Sequence, residues 1–228
     1  MKITKLPHAC LIVTENGYNL VIDPSVFFEF DREFPTPESV LAVILTHNHS
    51  DHYSAKNLQK LLEKNPDMQI LASSDTVATI AQDLPEVKNV TVAKPGEVQE
   101  SYPAGTFRAA FFGGRHTHIV PGDDKGDNVG VVVNGQLVYP GDSFDVPPPD
   151  MLTQDVILAL PTSGPWLKIG EAMVYLRDFS PTPKTVFPTH DGLNDSGTGT
   201  MINQYLEPIC TEIGAKFVNL QPGQSLEI

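Results

Sequence analysis

Cysteine and long apolar runs are both scarce in this chain of 228 residues. Cys10 and Cys210 are the only two cysteines. They form no disulfide framework, and since we read no secretory signal, we expect both to be reduced and buried. The first apolar run, Ala9 to Val13, is too short for a signal sequence or a membrane span. The sequence therefore predicts a cytoplasmic protein that does not insert into a membrane.

Positive charge is also scarce, because 15 Lys and Arg residues stand against 28 Asp and Glu residues, a formal net charge of −13. Nucleic acids and anionic membranes are bound through clustered Lys and Arg side chains. We therefore expect neither as a partner and expect a small-molecule substrate instead. Oligomer formation remains possible.

The order of the predicted elements indicates the fold class. Helices alternate with strands near both ends of the chain, around a central run of consecutive strands. Predicted strands cover residues 3–6, 9–13, 19–22, 40–45, 69–72, 90–93, 106–112, 129–133, 136–139, 156–160, 185–187 and 217–220, and predicted helices cover 54–64, 75–82, 169–179 and 200–213. Asn16-Gly17 and Asn134-Gly135 are typical of tight hairpin turns. This order predicts an α/β (α+β) protein with two facing sheets and outer helices, and no linker divides residues 1–228.

The segment THNHSDH, Thr46 to His52, holds three of the seven histidines and directly follows the apolar strand VLAVIL. His47 and His49 are two residues apart in extended chain and can point the same way, whereas Asp51 and His52 are adjacent and must diverge. Imidazole and carboxylate are ligands for Zn²⁺ and similar divalent ions. One loop can therefore supply two neighbouring metal sites, although a polar turn without metal is the alternative.

Further candidate ligands follow three later strands. GGRHTH ends at His118, PGDS contains Asp142, and PTHDG contains His190. Side chains at the ends of strands are held by a rigid sheet, which is how α/β scaffolds usually carry function. These residues are expected to lie at one edge of the sheets.

The motif HNHSDH is similar to the H-x-H-x-D-H signature of the metallo-β-lactamase fold superfamily, and the later His and Asp motifs look like its remaining ligands. The opening from Ile3 to Asp23 resembles the first strands of that family and its structural aspartate. The resemblance covers essentially the whole chain and implies a four-layer αββα sandwich. In detail the chain resembles the compact metal-dependent hydrolase branch that includes the ascorbate-6-phosphate lactonases. The long arm of the glyoxalase branch and the inserted domain of the nucleic-acid-processing branch are missing.

Carried over residue by residue, the resemblance implies two metal sites. The first ion is assigned to His47, His49 and His116, the second to Asp51, His52 and His190, and Asp142 bridges the two. Zn²⁺ is the expected ion, two per chain, with Mn²⁺ or Fe²⁺ as alternatives. A hydroxide shared by the two ions would be the nucleophile, which Asp51 would orient.

Four further residues lie in or near these motifs. His118 is an alternative to His116 as the third histidine ligand, or it faces substrate, or it is a surface residue before a mobile loop at Pro121 and Gly122. Asp23 is expected to hydrogen-bond the backbone or a ligand imidazole. His8 resembles a residue usual in this branch, but we expect a packed core histidine. Asp191 is expected to be a turn residue.

The candidate substrate-binding residues each have a structural alternative. In SGPWLK, Trp166 is a candidate for stacking on a substrate and Lys168 for binding an anion, or both simply belong to a surface loop. Phe27, Phe28 and Phe30 lie in the loop at residues 25–37, where they form either an apolar wall of the site or ordinary packing.

The resemblance implies a hydrolase that acts on an ester, lactone, amide or phosphodiester bond of a small molecule. Two alternatives share the fold. One is a mononuclear iron oxidoreductase of the persulfide-dioxygenase type, which uses mainly the three-histidine site. The other is a metal-binding protein without catalytic activity.

Overall fold

The computed structural model describes residues 1–30, 39–100, 105–120 and 126–228. These residues contain two mixed seven-stranded sheets. The first has the order β14-β1-β2-β3-β4-β5-β6, with β1 Lys2–Lys5, β2 Leu11–Glu15, β3 Tyr18–Ile22, β4 Val40–Leu45, β5 Gln69–Ala72, β6 Val90–Val92 and β14 Ser225–Glu227. The second has the order β13-β12-β11-β10-β9-β8-β7, with β7 Val98–Glu100, β8 Arg108–Gly113, β9 Val129–Val133, β10 Leu137–Tyr139, β11 Ile157–Pro161, β12 Thr185–Thr189 and β13 Lys216–Phe217.

Each sheet has an antiparallel part and a parallel part. β1, β2 and β3 are antiparallel neighbours, whereas β3, β4, β5 and β6 are parallel. In the second sheet β7 to β10 are antiparallel, and β10 to β13 are parallel. The two predicted hairpin turns are confirmed, since Asn16-Gly17 and Asn134-Gly135 have positive φ at both residues, as a tight two-residue turn requires.

Four described α-helices cover the outer faces of the sheets: α1 Ala55–Lys64, α2 Ser74–Asp83, α3 Ile169–Asp178 and α4 Ser196–Ile213. A short 3₁₀ helix spans Pro149–Met151. None of the described helices combines the length and the apolar character that crossing a bilayer requires.

The alternation of side chains along β9 shows how the layers are held together. Val129, Val131 and Val133 point into the core between the two sheets, where they meet Leu20 and Ile44 of the first sheet. Val132 points the other way, into the core beneath α3 and α4. Because both faces are buried, the strand is apolar at every position except Gly130. The predicted αββα sandwich is therefore confirmed.

The structure differs from the predicted elements mainly at edges and ends. β7 and β14 were not predicted, because three residues that are mostly exposed show too little apolar alternation. α4 begins at Ser196 instead of residue 200, since Asp195 caps it by accepting the Thr198 N–H at 2.6 Å. Gly197 and Gly199 in the first turn are poor helix formers, which concealed this start from the sequence.

The layered core predicts that two Val→Ala substitutions differ greatly in their effect on the free energy of unfolding. Val131 is 0 % exposed between the sheets, and Val174 on α3 is 55 % exposed. Val131→Ala should lower the free energy of unfolding by about 2 to 3 kcal/mol, because it removes buried methyl groups and leaves a cavity. Val174→Ala should change it by no more than about 0.5 kcal/mol. Urea unfolding of metal-free protein measures both, and equal effects would contradict the assigned core.

Candidate metal centre

Four strand ends place the predicted ligands at one edge of the molecule. The THNHSDH loop follows β4, and Asp23 directly follows the parallel neighbour β3. β8, β10 and β12 run in one direction within the second sheet, because β8 and β10 are both antiparallel to β9 and β10 to β12 are parallel. Their carboxyl ends carry His116, Asp142 and His190, respectively. The two sheets thus present their ligand loops to each other.

All seven predicted ligands belong to two compact groups of ligand atoms. One group is His47, His49, His116 and Asp142, and the other is His8, Asp51, His52 and His190. Within each group the ligand atoms lie no more than 4.8 Å from one another. Each group is of a size that a single divalent ion could occupy.

The carboxylate of Asp142 lies between the two groups and is 2 % exposed. Its Oδ1 is 3.1 Å from His52 Nε2. Its Oδ2 is 3.2 Å from His190 Nε2, 3.3 Å from His116 Nε2 and 3.8 Å from His47 Nε2. One carboxylate therefore touches imidazoles of both groups.

Hydrogen bonds at Nδ1 orient three of these imidazoles. His52 Nδ1 donates to Asp23 Oδ2 at 2.7 Å, and His116 Nδ1 donates to the Thr117 carbonyl at 2.5 Å. His47 Nδ1 lies 3.1 Å from Thr46 Oγ1, whose own hydrogen goes to Asp23, so the imidazole donates here as well. A hydrogen on Nδ1 leaves the lone pair of a neutral imidazole on Nε2.

The Nε2 atoms that face the centre are buried, and although they lie 3.1 to 3.8 Å from the Asp142 carboxylate, they form no hydrogen bond of regular geometry with the described residues. They belong to His47, His52, His116 and His190, and Asp142 Oδ1 shares this condition. Buried polar atoms are normally paired, since an unpaired one costs free energy. Lone pairs that converge in this way, on imidazole and carboxylate, fit a bound divalent ion.

The charges within the centre shift the pKa of several groups. Burial raises the pKa of Asp142, but the facing His52 and His190 outweigh that effect and hold it well below its usual range. Burial likewise raises the pKa of Asp51, and contacts with His190 and His8 reverse the direction and lower it. Both carboxylates are therefore ionised and able to bind a cation.

The histidines of the two groups differ in pKa. Burial lowers the pKa of His47 and of His49 in the first group. In the second group burial also opposes protonation of His52 and His190, but Asp142 outweighs it, raising the pKa of His52 well above its usual value and that of His190 to about 9. Without metal, His52 and His190 hold protons at neutral pH that His47 and His49 do not.

The other candidates from the sequence lie at varying distances from the centre. His118 is exposed and belongs to neither group, whereas His116 lies in the first group and stays the predicted ligand. Trp166 is buried, with its ring centroid 5.9 Å from that of His116 and 5.8 Å from that of His190. Lys168 is exposed at the start of α3, where its backbone N–H donates to Glu171, and no contact with the centre is recorded among the described residues.

The described phenylalanines of the loop at residues 25–37 differ in whether they lie in the apolar core or beside the centre. Phe28 and Phe30 are buried in the core beneath α1, so for them ordinary packing is the outcome. Phe27 lies with its ring 4.7 Å from the ring of His8. Residues 31–37 of that loop, like Pro121 and Gly122 after His118, lie outside the described residues.

Sequence reasoning missed two residues of this region. His8 is buried as expected, but it packs on the centre and not in the apolar core: its Nε2 is 3.3 Å from Asp51 Oδ2. Lys5 is also buried, and its Nζ lies 2.5 Å from Asp191 Oδ2, beside His190. The only signal for His8 was its resemblance to a residue usual in one branch of the family. An isolated lysine on a strand gives no such signal.

Several residues around the candidate metal centre have unusual backbone φ angles. Positive φ occurs at five described residues other than glycine, and three of them, His8, Asp23 and His190, belong to this region. Such conformations cluster at functional sites. Gly141, before Asp142, has φ +64°, and an added Cβ would lie 2.3 Å from Asn128 Oδ1. No other residue fits this turn without displacing Asn128.

The family model of the beta-lactamase superfamily domain matches residues 2–190. The chain belongs to this superfamily, which confirms the resemblance found in the sequence. Protein Rv0786c of Mycobacterium tuberculosis is 29 % identical over 198 residues, which cover 85 % of each chain. The likeness to the ascorbate-6-phosphate lactonases within the superfamily stays a prediction.

Solved structures share the fold at low sequence identity. Igni18, a metallo hydrolase of Ignicoccus hospitalis, is 17 % identical with a TM-score of 0.72, covering 100 % of this chain and 98 % of its own. An isothiocyanate hydrolase from Delia radicum gut bacteria is 19 % identical with a TM-score of 0.70, covering 100 % and 99 %. CmlA, a diiron beta-hydroxylase from Streptomyces venezuelae, is 13 % identical with a TM-score of 0.69, covering 100 % of this chain and 54 % of CmlA.

The positions of the two histidines after β8 predict opposite effects of substitution. His116→Ala should remove one ion per chain, because its Nε2 belongs to the first group. His118→Ala should leave the metal content unchanged. Elemental analysis of dialysed protein measures both variants, and loss of metal from His118→Ala alone would show that the wrong histidine was assigned.

The pKa differences predict that the two groups release different numbers of protons. Below about pH 9 an ion that binds the second group must displace the proton of His190, and that of His52 as well, so affinity there should rise with pH between 7 and 9. Calorimetry at pH 7.5 in buffers of different ionisation enthalpy counts these protons. About two should leave with the second ion.

The matched control for this measurement is His190→Ala. This variant should bind only the first ion, so the protons counted should be those that the first ion releases. His47 and His49, whose pKa values are lowered, contribute no protons to that count. Equal release by both ions in the wild-type protein would contradict the charge distribution described above.

Proposed function

We propose that the chain is a metal-dependent hydrolase that acts as a single domain over residues 1–228. The observation that carries the proposal is a pair of adjacent ligand groups, with the Asp142 carboxylate of the first group 3.1 Å from His52 Nε2 and 3.2 Å from His190 Nε2 of the second. Superfamily membership and the fold shared with a metallo hydrolase support the same function. The assigned ligands are those predicted from the sequence: His47, His49 and His116 for one ion, Asp51, His52 and His190 for the other, and Asp142 for both.

Zn²⁺ is the proposed ion, since imidazole and carboxylate are among its usual ligands, with Mn²⁺ or Fe²⁺ as alternatives. When bound as a pair, divalent ions lower the pKa of water and polarise the oxygen of the bond under attack. The proposed substrates are small molecules with an ester, lactone, amide or phosphodiester bond. We also keep the prediction of a cytoplasmic location.

The side chains of this protein contribute orientation and charge balance. Asp23 and the Thr117 carbonyl hold His52 and His116 with Nε2 towards the centre. Asp142 places one negative charge between the two groups and thereby lowers the repulsion between two cations. Asp51, whose side chain is 26 % exposed, faces both the second group and solvent, so its carboxylate can orient an attacking water by accepting a hydrogen bond from it.

Substrate access is proposed from the same side as Asp51 and His49. Both are partly exposed, whereas the other five ligands are buried. Trp166 supplies an apolar wall beside His116 and His190. Lys168, which has no recorded contact with the centre, is not needed for this proposal.

An iron oxidoreductase is the second candidate function. It is supported by the fold that this chain shares with the diiron beta-hydroxylase CmlA. Metal analysis separates the two functions. Two Zn²⁺ per chain together with hydrolytic activity supports the proposal. Iron at one or two ions per chain, with oxygen consumption and no hydrolysis, would favour the oxidoreductase instead.

Asp142→Asn tests the proposed bridging role. The change keeps the size of the side chain but removes the negative charge between the two groups. The second ion should dissociate first, and hydrolysis should fall by a factor of about 10² or more, corresponding to several kcal/mol of transition-state stabilisation. Screening lactones, phosphodiesters and acyl amides identifies the substrate, and isotope dilution with elemental analysis counts the ions.

Folding should survive this change, because Asp142 lies outside the apolar cores. The far-UV circular dichroism of the variant should therefore match that of the wild-type protein. If the variant retained both ions and full turnover, the bridging role would be wrong.

A further inference from the structure

His8 lies between β1 and β2 and contacts both chain segments that carry the second ligand group. Its Nε2 is 3.3 Å from Asp51 Oδ2. Its Nδ1 accepts the backbone N–H of Gly192 at 3.0 Å, and its backbone carbonyl accepts the N–H of His190 at 3.0 Å. By distance alone His8 qualifies as a fourth ligand of this group.

The hydrogen bonds of the His8 ring exclude that role. A backbone N–H can only donate, so Nδ1 must carry the lone pair, and an ionised carboxylate can only accept, so Nε2 must carry the hydrogen. His47, His52 and His116 have the opposite arrangement, because each directs its Nδ1 hydrogen to an oxygen atom and leaves Nε2, which faces the centre, as the nitrogen that an ion would bind. A nitrogen that bears a hydrogen cannot bind a metal ion.

We propose that His8 is a positioning residue for the second metal ion and not one of its ligands. Its Nε2–H holds the carboxylate of Asp51, and its carbonyl holds the backbone of His190. One residue thereby fixes two ligands that are 139 positions apart in the chain. The inference rests on the proposed function, because it assumes that Asp51 and His190 bind an ion.

The backbone and packing around His8 favour this one orientation of the ring. His8 has φ +62° and His190 has φ +54°, conformations that cost free energy for residues other than glycine. At Gly192 an added Cβ would lie 2.9 Å from the Cβ of His8 and 3.1 Å from its Nδ1, so glycine is required for the two to approach.

Ring contacts hold the imidazole on both sides. Phe27 lies at a centroid distance of 4.7 Å and His190 at 4.0 Å. His8 is 0 % exposed, so a substrate cannot reach its Nε2. The ring therefore acts on the reaction only through the ligands that it holds.

Cadmium NMR tests whether His8 binds metal. Protein labelled with ¹⁵N at histidine and loaded with ¹¹³Cd²⁺ should show ¹¹³Cd–¹⁵N coupling at Nε2 of His52 and His190. His8 should show no coupling, and its long-range ¹H–¹⁵N correlations should identify the neutral form with hydrogen on Nε2. Coupling to His8, or hydrogen on its Nδ1, would overturn the inference.

Two variants test what each side of the ring does. His8→Asn retains an acceptor near Nδ1 and tolerates positive φ, but it is too short to reach Asp51. His8→Gln places an amide N–H near the original Nε2. Affinity for the second Cd²⁺ should fall about 10- to 100-fold in His8→Asn and recover to within a few-fold of wild type in His8→Gln.

The first ion and the thermal midpoint of the metal-free protein serve as internal controls. Affinity for the first ion should stay unchanged in both variants, since His8 contacts none of its ligands. Equal loss of the second ion in both variants, at equal thermal midpoints, would overturn the positioning role.

The same experiment separates this inference from the proposed function. If the wild-type protein binds no second ion and His190 shows no coupling, the two-metal function fails together with the positioning role. If His190 and His8 both show coupling, the two-metal function stands and only the inference about His8 fails.

Discussion

The buried carboxylate of Asp23 joins the two sheets and orients the ligand loop. Its Oδ2 accepts hydrogen bonds from Thr46 Oγ1, from His52 Nδ1 and from the hydroxyl of Tyr139 on β10, and its Oδ1 accepts the Thr46 N–H. Because the residue is fully buried, each donor matters for offsetting the cost of removing a carboxylate from water. The first residues of the THNHSDH loop cannot move far without breaking hydrogen bonds to Asp23, which also binds Tyr139 of the second sheet.

Asp23, together with Thr46 and the Thr117 carbonyl, explains why the same nitrogen of three imidazoles faces the centre. Oxygen acceptors at the periphery take the Nδ1 hydrogens of His47, His52 and His116, so that the Nε2 lone pairs converge. At His8 the peripheral partner is a backbone N–H, and the ring is reversed. Whether a histidine binds metal or orients a ligand thus depends on whether the hydrogen-bond partner of its Nδ1 accepts or donates. The distance of the ring from the centre alone does not decide.

Most of the fold, and the grouping of the seven candidate ligands at one edge, could be predicted, because both leave local patterns in the sequence. The apolar run of β4 followed by H-x-H-x-D-H, and the His or Asp after three later strands, needed no knowledge of long-range contacts. β7 and β14 could not be predicted, since their pairing with β8 and β1 decides their conformation more than their own residues do. The choice between His116 and His118 also required the structure, because two residues of extended chain leave both within reach of the centre.

Residues that act across the interface between the sheets were the hardest to predict. His8 contacts Gly192, and Lys5 contacts Asp191, each over more than 180 positions of the chain. Burial lowers the pKa of Lys5, and the facing Asp191 opposes that effect. A single histidine or lysine on a strand gives no sequence pattern from which such a partner can be inferred.

The central claim is that two ions share Asp142, and anomalous diffraction from a crystal grown with Zn²⁺ tests it most directly. The account predicts two peaks about 3.5 to 4 Å apart on either side of the Asp142 carboxylate. One should lie within bonding distance of His47, His49 and His116, and the other within bonding distance of Asp51, His52 and His190, with His8 beyond it. A single peak in fully loaded protein, or two peaks that do not share Asp142, would contradict it.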